Sequence, residues 1–208
     1  ASNPTKNYGS GGDFTLNGGG VQGSRGASEY ISRSAKFDGS TGYLSNLYSG
    51  STITSKTLSC VLCVSPNVVP ITNYGILLMI GSAGNIFSIE VDMSTQEKIN
   101  VGVGYSDGTY GGSIASINTI NGTSFVNSGE WTYLFLWVNL ELGICKTYTD
   151  VEKDASVVNN KDIVINNGDS ITVGAAFGAT SYTNSSGSNI YFTTDYIDFS
   201  QEANRNLF

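Results

Sequence analysis

The acidic side chains best spaced for chemistry lie in "EVDMSTQE", residues 90 to 97. Glu90 and Asp92 alternate on a predicted strand and share one face, as the nucleophile and the acid/base of a retaining glycoside hydrolase would. Glu97 stands five residues beyond Asp92 and past a turn, whereas that pattern wants its last acid closer. Glu90 and Asp92 therefore read as a solvated strand face. The chain has no histidine, which removes the usual general base for a serine or cysteine nucleophile. No Gly-rich stretch leads into a predicted helix, so no phosphate-binding loop is supported. The expectation is a protein that is not an enzyme.

Binding chemistry has more material. The loops offer Tyr105, Asp107, Tyr110, Tyr182, Asn184 and Asn189. Aromatic faces combined with amide and carboxylate groups suit a shallow sugar site. The same residues also suit solvated, turn-forming loops, and both readings stand at this point. Asp107 and Asp169 are loop carboxylates of the kind that ligate calcium. They are equally ordinary as solvated aspartates, so no metal ligand and no cofactor is assigned.

The positioning elements are strands. The chain has 208 residues, 39% of them hydrophobic, with 12 Tyr and 9 Phe, enough to fill a core. It also has 26 Gly and 3 Pro, and the glycines follow no three-residue period, so they mark tight turns. Net charge is −7 with 10 Lys plus Arg, none clustered. Nucleic acid and anionic membrane surfaces are excluded as partners, because both need dense positive charge. No apolar run is long enough to span a membrane. The first residue is not Met and no signal-like segment follows it, which reads as a mature fragment or a piece of something longer.

Cys60 and Cys63 lie three apart on a predicted strand. They therefore point to opposite faces and can share neither a disulfide nor a metal. With Cys145 they are expected as small buried hydrophobes, and reduced thiols suit assembly in a cytosol.

Residues 1 to 30 are rich in Gly and Ser and read as an extended arm holding one short strand around Phe14 to Leu16. Residues 31 to 208 form the domain. Strands with turn signals between them predict an all-β, two-sheet antiparallel sandwich. In the segment 131 to 140, Leu134, Leu136 and Val138 share one face, and Trp131, Tyr133, Phe135 and Trp137 share the other. A strand apolar on both sides is central and covered on both sides. Its aromatic row is either a sugar platform or a packing surface.

Several segments, in order, resemble the concanavalin A-like or laminin G-like jelly roll in its bacterial and phage form. They are "AKFDGSTGYLS" (35 to 45), "TLSCVLCVSP" (57 to 66), "ILLMIGSAGNIFSIEVD" (76 to 92) and "KINVGVG" (98 to 104). "SGEWTYLFLWVNLELGICKTYTD" (128 to 150), "ITVGAAFG" (171 to 178) and "YFTTDYIDFS" (191 to 200) complete the series. The resemblance covers residues 34 to 200. One departure is "TYTDVE", which keeps Tyr148 and Asp150 but lacks the family's glycine, and so puts a tight turn there in question.

The closing "DFSQEANRNLF" (198 to 208) resembles a phrase that ends such modules in tailed-bacteriophage virion proteins. Ser200 is the expected N-cap of a short helix, with Glu202 in its first turn and Arg205 in its last. Leu207 and Phe208 are expected to pack on the sheet edge. The resemblance implies a virion structural or adhesion module, such as a decoration, fibre or tail protein, in particles assembled in the host cytoplasm. Its implied partners are other virion subunits, in a homo-oligomer, and a host-surface glycan. The alternative is a carbohydrate-binding module of an extracellular protein.

Overall fold

The computed structural model describes residues 13–18, 21–24, 33–66, 75–82, 85–92, 99–106, 113–120, 131–149, 152–154, 156–157, 162–175 and 185–208. The strands begin with β1 (Thr15–Asn17), β2 (Val21–Ser24), β3 (Arg33–Lys36), β4 (Tyr43–Leu47), β5 (Ile53–Ser55) and β6 (Thr57–Pro66). Next come β7 (Gly75–Ser82), β8 (Asn85–Asp92), β9 (Ile99–Ser106), β10 (Ser113–Ile120), β11 (Thr132–Asn139) and β12 (Ile144–Tyr148). The last are β13 (Glu152–Asp154), β14 (Ser156–Val157), β15 (Ile163–Ile165), β16 (Ser170–Val173) and β17 (Ser185–Thr193), followed by helix α1 (Glu202–Arg205).

One sheet runs β1-β4-β16-β7-β8-β9-β10-β14, the other β13-β12-β11-β6-β17-β3-β2, and β15 pairs with β5 apart from both. All pairings are antiparallel. The chain changes sheet repeatedly, from β3 to β4, β6 to β7, β10 to β11 and β16 to β17. The expected arm carries two strands where one was expected. β1 joins the first sheet beside β4, and β2 joins the second beside β3.

Strand alternation builds the core. Leu58, Cys60, Leu62 and Val64 of β6 and Leu134, Leu136 and Val138 of β11 face Leu44, Leu78, Ile80, Ile171 and Val173 from the other sheet. Cys60 takes this inner side, while Cys63 pairs with Tyr133 on the outer side. All three cysteines are buried and outside any disulfide. Burial pushes the Cys145 thiol up to about 12, so it stays protonated and unreactive. β12 and β13 pair antiparallel, with Tyr148 opposite Glu152, and the turn where the family's glycine is lacking lies, at residues 150 and 151, outside the described residues.

Turn chemistry fixes the loop between β3 and β4. Asp38 Oδ1 accepts the backbone N–H groups of Ser40 (2.9 Å), Thr41 (2.7 Å) and Gly42 (2.9 Å), and the Thr41 hydroxyl donates to Oδ2. Gly39 turns there at φ 75°. Across the sandwich Gly174, at φ 89°, lies against the Phe37 ring, where a Cβ would come within 2.8 Å of the ring carbons.

Two predictions follow from these contacts. Thr147, opposite Leu136 on the inner face, is fully buried, and its hydroxyl has no hydrogen-bond partner. Thr147→Val keeps the shape and removes the unmet hydroxyl, so it should stabilise by about 1 kcal/mol. In thermal denaturation that is a rise in Tm of about 2–4 °C. Backbone hydrogen bonds, that from Thr41 foremost, hold the Asp38 carboxyl well below the usual carboxylate range. A depressed folded value contributes stability that is present above the unfolded value near ~4 and lost as pH falls through the folded one. Asp38→Asn should therefore lower Tm at neutral pH, and the gap from wild type should shrink below about pH 4. A gap independent of pH would contradict this account.

Candidate functional site

Strand β11 has to be covered twice, and the cover on its outer face comes from the C-terminal segment. Phe199 is completely buried, its ring 5.1 Å from Phe135 and 6.0 Å from Trp137. Phe208 closes over the same cluster, 5.8 Å from Phe199 and 6.4 Å from Phe135. The aromatic row is thus a packing surface at Phe135 and Trp137. The segment is anchored at its start by Ser59, whose hydroxyl donates to the Asp195 carbonyl (2.9 Å) and accepts the Ile197 N–H (2.8 Å).

Ser200 is not the N-cap. The helix begins one residue later, with Gln201 in the cap position and no side-chain capping bond. The reason is local: the Asp198 carboxylate accepts the Ser200 N–H at 3.0 Å and draws Ser200 into the preceding turn. Glu202 and Arg205 stand in the first and last turns as expected. Leu207 does not pack, being 74% exposed, and Phe208 lies on the sheet face rather than its edge.

The cover stops short of one end of the sheet, where the open shelf contains Asn189. β17 carries one extra residue against β6 here. Ser188 pairs with Cys63 and Tyr191 with Val61, so three residue steps on β17 match two on β6. The bulge is absorbed by Asn189 at φ 48°, a left-handed conformation that asparagine tolerates better than most side chains. Alternation is thereby preserved, with Ile190 and Phe192 turned to the core and Tyr191 turned outward. The Asn189 side chain reaches across β6, and its Nδ2 donates to the Tyr133 hydroxyl at 2.9 Å. Cys63 lies between Ser188 and Tyr133 in the register, and it is fully buried although it faces outward.

The shelf has an aromatic wall. Tyr191 is 38% exposed, and its ring centroid stands 4.9 Å from that of Phe208. Tyr133 stacks on Phe135 at 5.9 Å with 21° between the ring planes. Asn189 Oδ1 accepts from the Ser188 hydroxyl at 3.3 Å. One amide N–H and one oxygen lone pair of Asn189 are thus left for a ligand. An exposed ring beside a fixed donor and acceptor can hold a polyhydroxylated molecule. Among the described residues, the side chains gathered here are an amide, two phenols and a phenyl ring, groups suited to hydrogen bonding and stacking.

Of the two described residues among the loop residues singled out from sequence for a sugar site, Asn189 is brought into this site and Tyr105 is not. Tyr105 is placed on β9 opposite Phe87 of β8, in the other sheet. Asp107, Tyr110, Tyr182 and Asn184 lie outside the described residues. Asp169 is not a solvated aspartate: it is buried, and its Oδ2 accepts the Asn166 N–H at 2.7 Å, closing the turn before β16. Glu90 and Asp92 sit on β8 between β7 and β9, and Glu97 lies outside the described residues. Tyr191 and Phe208 were missed as site residues. The alternation of "NIYFT" gives no sign of a bulge, and nothing local to Phe208 says which ring it will meet.

No family model matches this chain, and no curated protein matches it. Solved structures do. Domain 4 of AbnA, an extracellular arabinanase from Geobacillus stearothermophilus solved in complex with arabinotriose, superposes with TM-score 0.53 at 18% identity. That match covers 95% of this chain and 90% of the other. The binding domain of botulinum neurotoxin DC, in complex with SialylT, gives TM-score 0.63 at 11% identity, covering 94% of this chain and 44% of the toxin domain. The chain thus spans less than half of that toxin domain. A heptameric SAP-like pentraxin from Limulus polyphemus gives TM-score 0.52 at 14% identity, covering 78% of this chain and 76% of the pentraxin. At these identities the likeness establishes the architecture: the chain is an antiparallel, two-sheet jelly-roll sandwich, with one short helix among the described residues.

Proposed function

We propose that this chain is a non-catalytic adhesion module that recognises a glycan on the outer face of its second sheet. The observation that carries the reading is the bulge at Asn189, which aims an amide along the sheet beside the exposed ring of Tyr191. Sugar rings present apolar C–H faces to aromatic side chains and hydroxyl pairs to amides, and this shelf supplies both partners. Two neighbours of the same fold were solved with sugars, arabinotriose in one and SialylT in the other, which supports a sugar as the ligand.

A virion setting is the second reading. Its motivation is the resemblance of "DFSQEANRNLF" to the closing phrase of phage virion modules. In that setting the partners are other virion subunits in a homo-oligomer, and the glycan belongs to the host surface. In an extracellular setting the same shelf serves a secreted or surface protein. Mass spectrometry of purified particles, with incorporation measured for a variant lacking residues 1 to 30, distinguishes the two.

The binding reading is tested on a glycan array carrying neutral and sialylated oligosaccharides. Wild type should bind a defined subset, and Asn189→Ala and Tyr191→Ala should each weaken binding about tenfold, as loss of one good polar or stacking contact does. Tyr182→Ala is the control for the loops. Loss of binding there, with none at Asn189, would move the site to the loop residues Tyr105, Asp107, Tyr110, Tyr182 and Asn184. No binding by wild type would end the glycan reading.

A further inference from the structure

We propose that Arg205 is a positioning residue of the sugar site and acts through Phe208, so that the C-terminal segment forms one wall of the site. This rests on the reading of the shelf as a glycan site. Tyr191 alone is a single ring on an open face. What extends it into a two-ring wall is Phe208, whose ring lies against it with centroids 4.9 Å apart and 50° between the planes.

The helix that precedes Phe208 has little stability of its own. Helix α1 is a single turn of four residues with no capping side chain and no buried residue, far below the length at which a helix is stable by itself. Leu207, the neighbour of Phe208, is exposed. Between Phe199 and Phe208 it is Arg205 that reaches the sheet. Its guanidinium carbon lies 3.9 Å from the centroid of the Tyr148 ring on β12. From there Nη1 turns back to donate to the carbonyls of Phe199 (2.5 Å) and Ser200 (2.8 Å), tying the end of the segment to its beginning. The Arg205 carbonyl then accepts the Phe208 N–H at 3.2 Å and sets where the last ring falls. The Asn204 amide, donating to the Asp198 carbonyl at 2.8 Å, makes a second tie within the segment that does not reach the sheet, while Arg205 ties the segment to β12. Lysine cannot repeat this, since a point charge on a flexible stem lacks the flat face and the fork.

The test compares wild type, Arg205→Ala, Arg205→Lys, Phe208→Ala and the Arg205→Ala/Phe208→Ala double variant. Each is titrated by calorimetry with the array glycan that wild type binds most strongly. Arg205→Ala and Phe208→Ala should each weaken binding about tenfold. The double variant should be no weaker than Phe208→Ala alone, because the two residues act in series. Arg205→Lys should fall between wild type and Arg205→Ala. It should also show faster amide exchange at Phe208, which a residue serving global stability alone would not change selectively. Wild-type affinity in Arg205→Ala or Arg205→Lys, or a double loss equal to the product of the single losses, would overturn the assignment while leaving the glycan reading intact. If Arg205→Ala does not fold, Arg205→Lys decides by the same two measurements. Absence of any wild-type glycan binding overturns both.

Discussion

A strand with apolar side chains on both faces cannot lie at the surface of a sandwich, and β11 is such a strand. Leu134, Leu136 and Val138 are satisfied by the opposite sheet. Phe135 and Trp137 project away from that sheet, and leaving two large rings in water would sacrifice several kcal/mol of burial. The architecture therefore requires a third layer over the centre of one sheet. Residues 194 to 208 supply it, with Phe199 at its centre. The Ser59 tether, the Asp198 turn, the Arg205 clasp and the placement of Phe208 all follow from that need.

The shelf exists because this third layer is small. It covers Phe135 and Trp137 and leaves Tyr133, Asn189 and Tyr191 at its margin. Without the bulge, Asn189 would take its place in strict alternation and could not bridge β6 to Tyr133. The extra residue keeps Ile190 and Phe192 in the core while freeing an amide for the outer face. A local irregularity in the hydrogen-bond ladder thus separates, on one sheet, a surface sealed by the third layer from one left open to solvent.

Much of the sandwich was legible in the sequence, because alternation at period two is a local property. The faces of β11, the opposed Cys60 and Cys63, the hairpin to β12 and the short closing helix could all be read that way. The strand β2 was missed since "VQGS" has no alternation of its own and is paired by β3. The helix start was misplaced because Asp198 and Ser200 compete for adjacent turns and pattern alone does not rank them. Among the site residues, Asn189 was legible as a loop amide, but its partners Tyr133, Tyr191 and Phe208 come from three distant segments. Their meeting depends on the strand order β11-β6-β17 and on the path of the last residues, neither of which is written in any one stretch.

The order in which the chain leaves the ribosome gives the third layer a temporal meaning. Ser59 and the Asp195 carbonyl it holds are 136 residues apart, and β17 joins β6 across a similar interval. Phe135 and Trp137 are therefore synthesised well before Phe199 and Phe208, which seal them. Until then the nascent sheet shows an aromatic stripe and the unpaired edge of β6, the features that invite association between unfinished chains. Closure over so long an interval is intrinsically slow, so the contacts that seal the third layer also lengthen the time in which the sheet stands open to wrong partners.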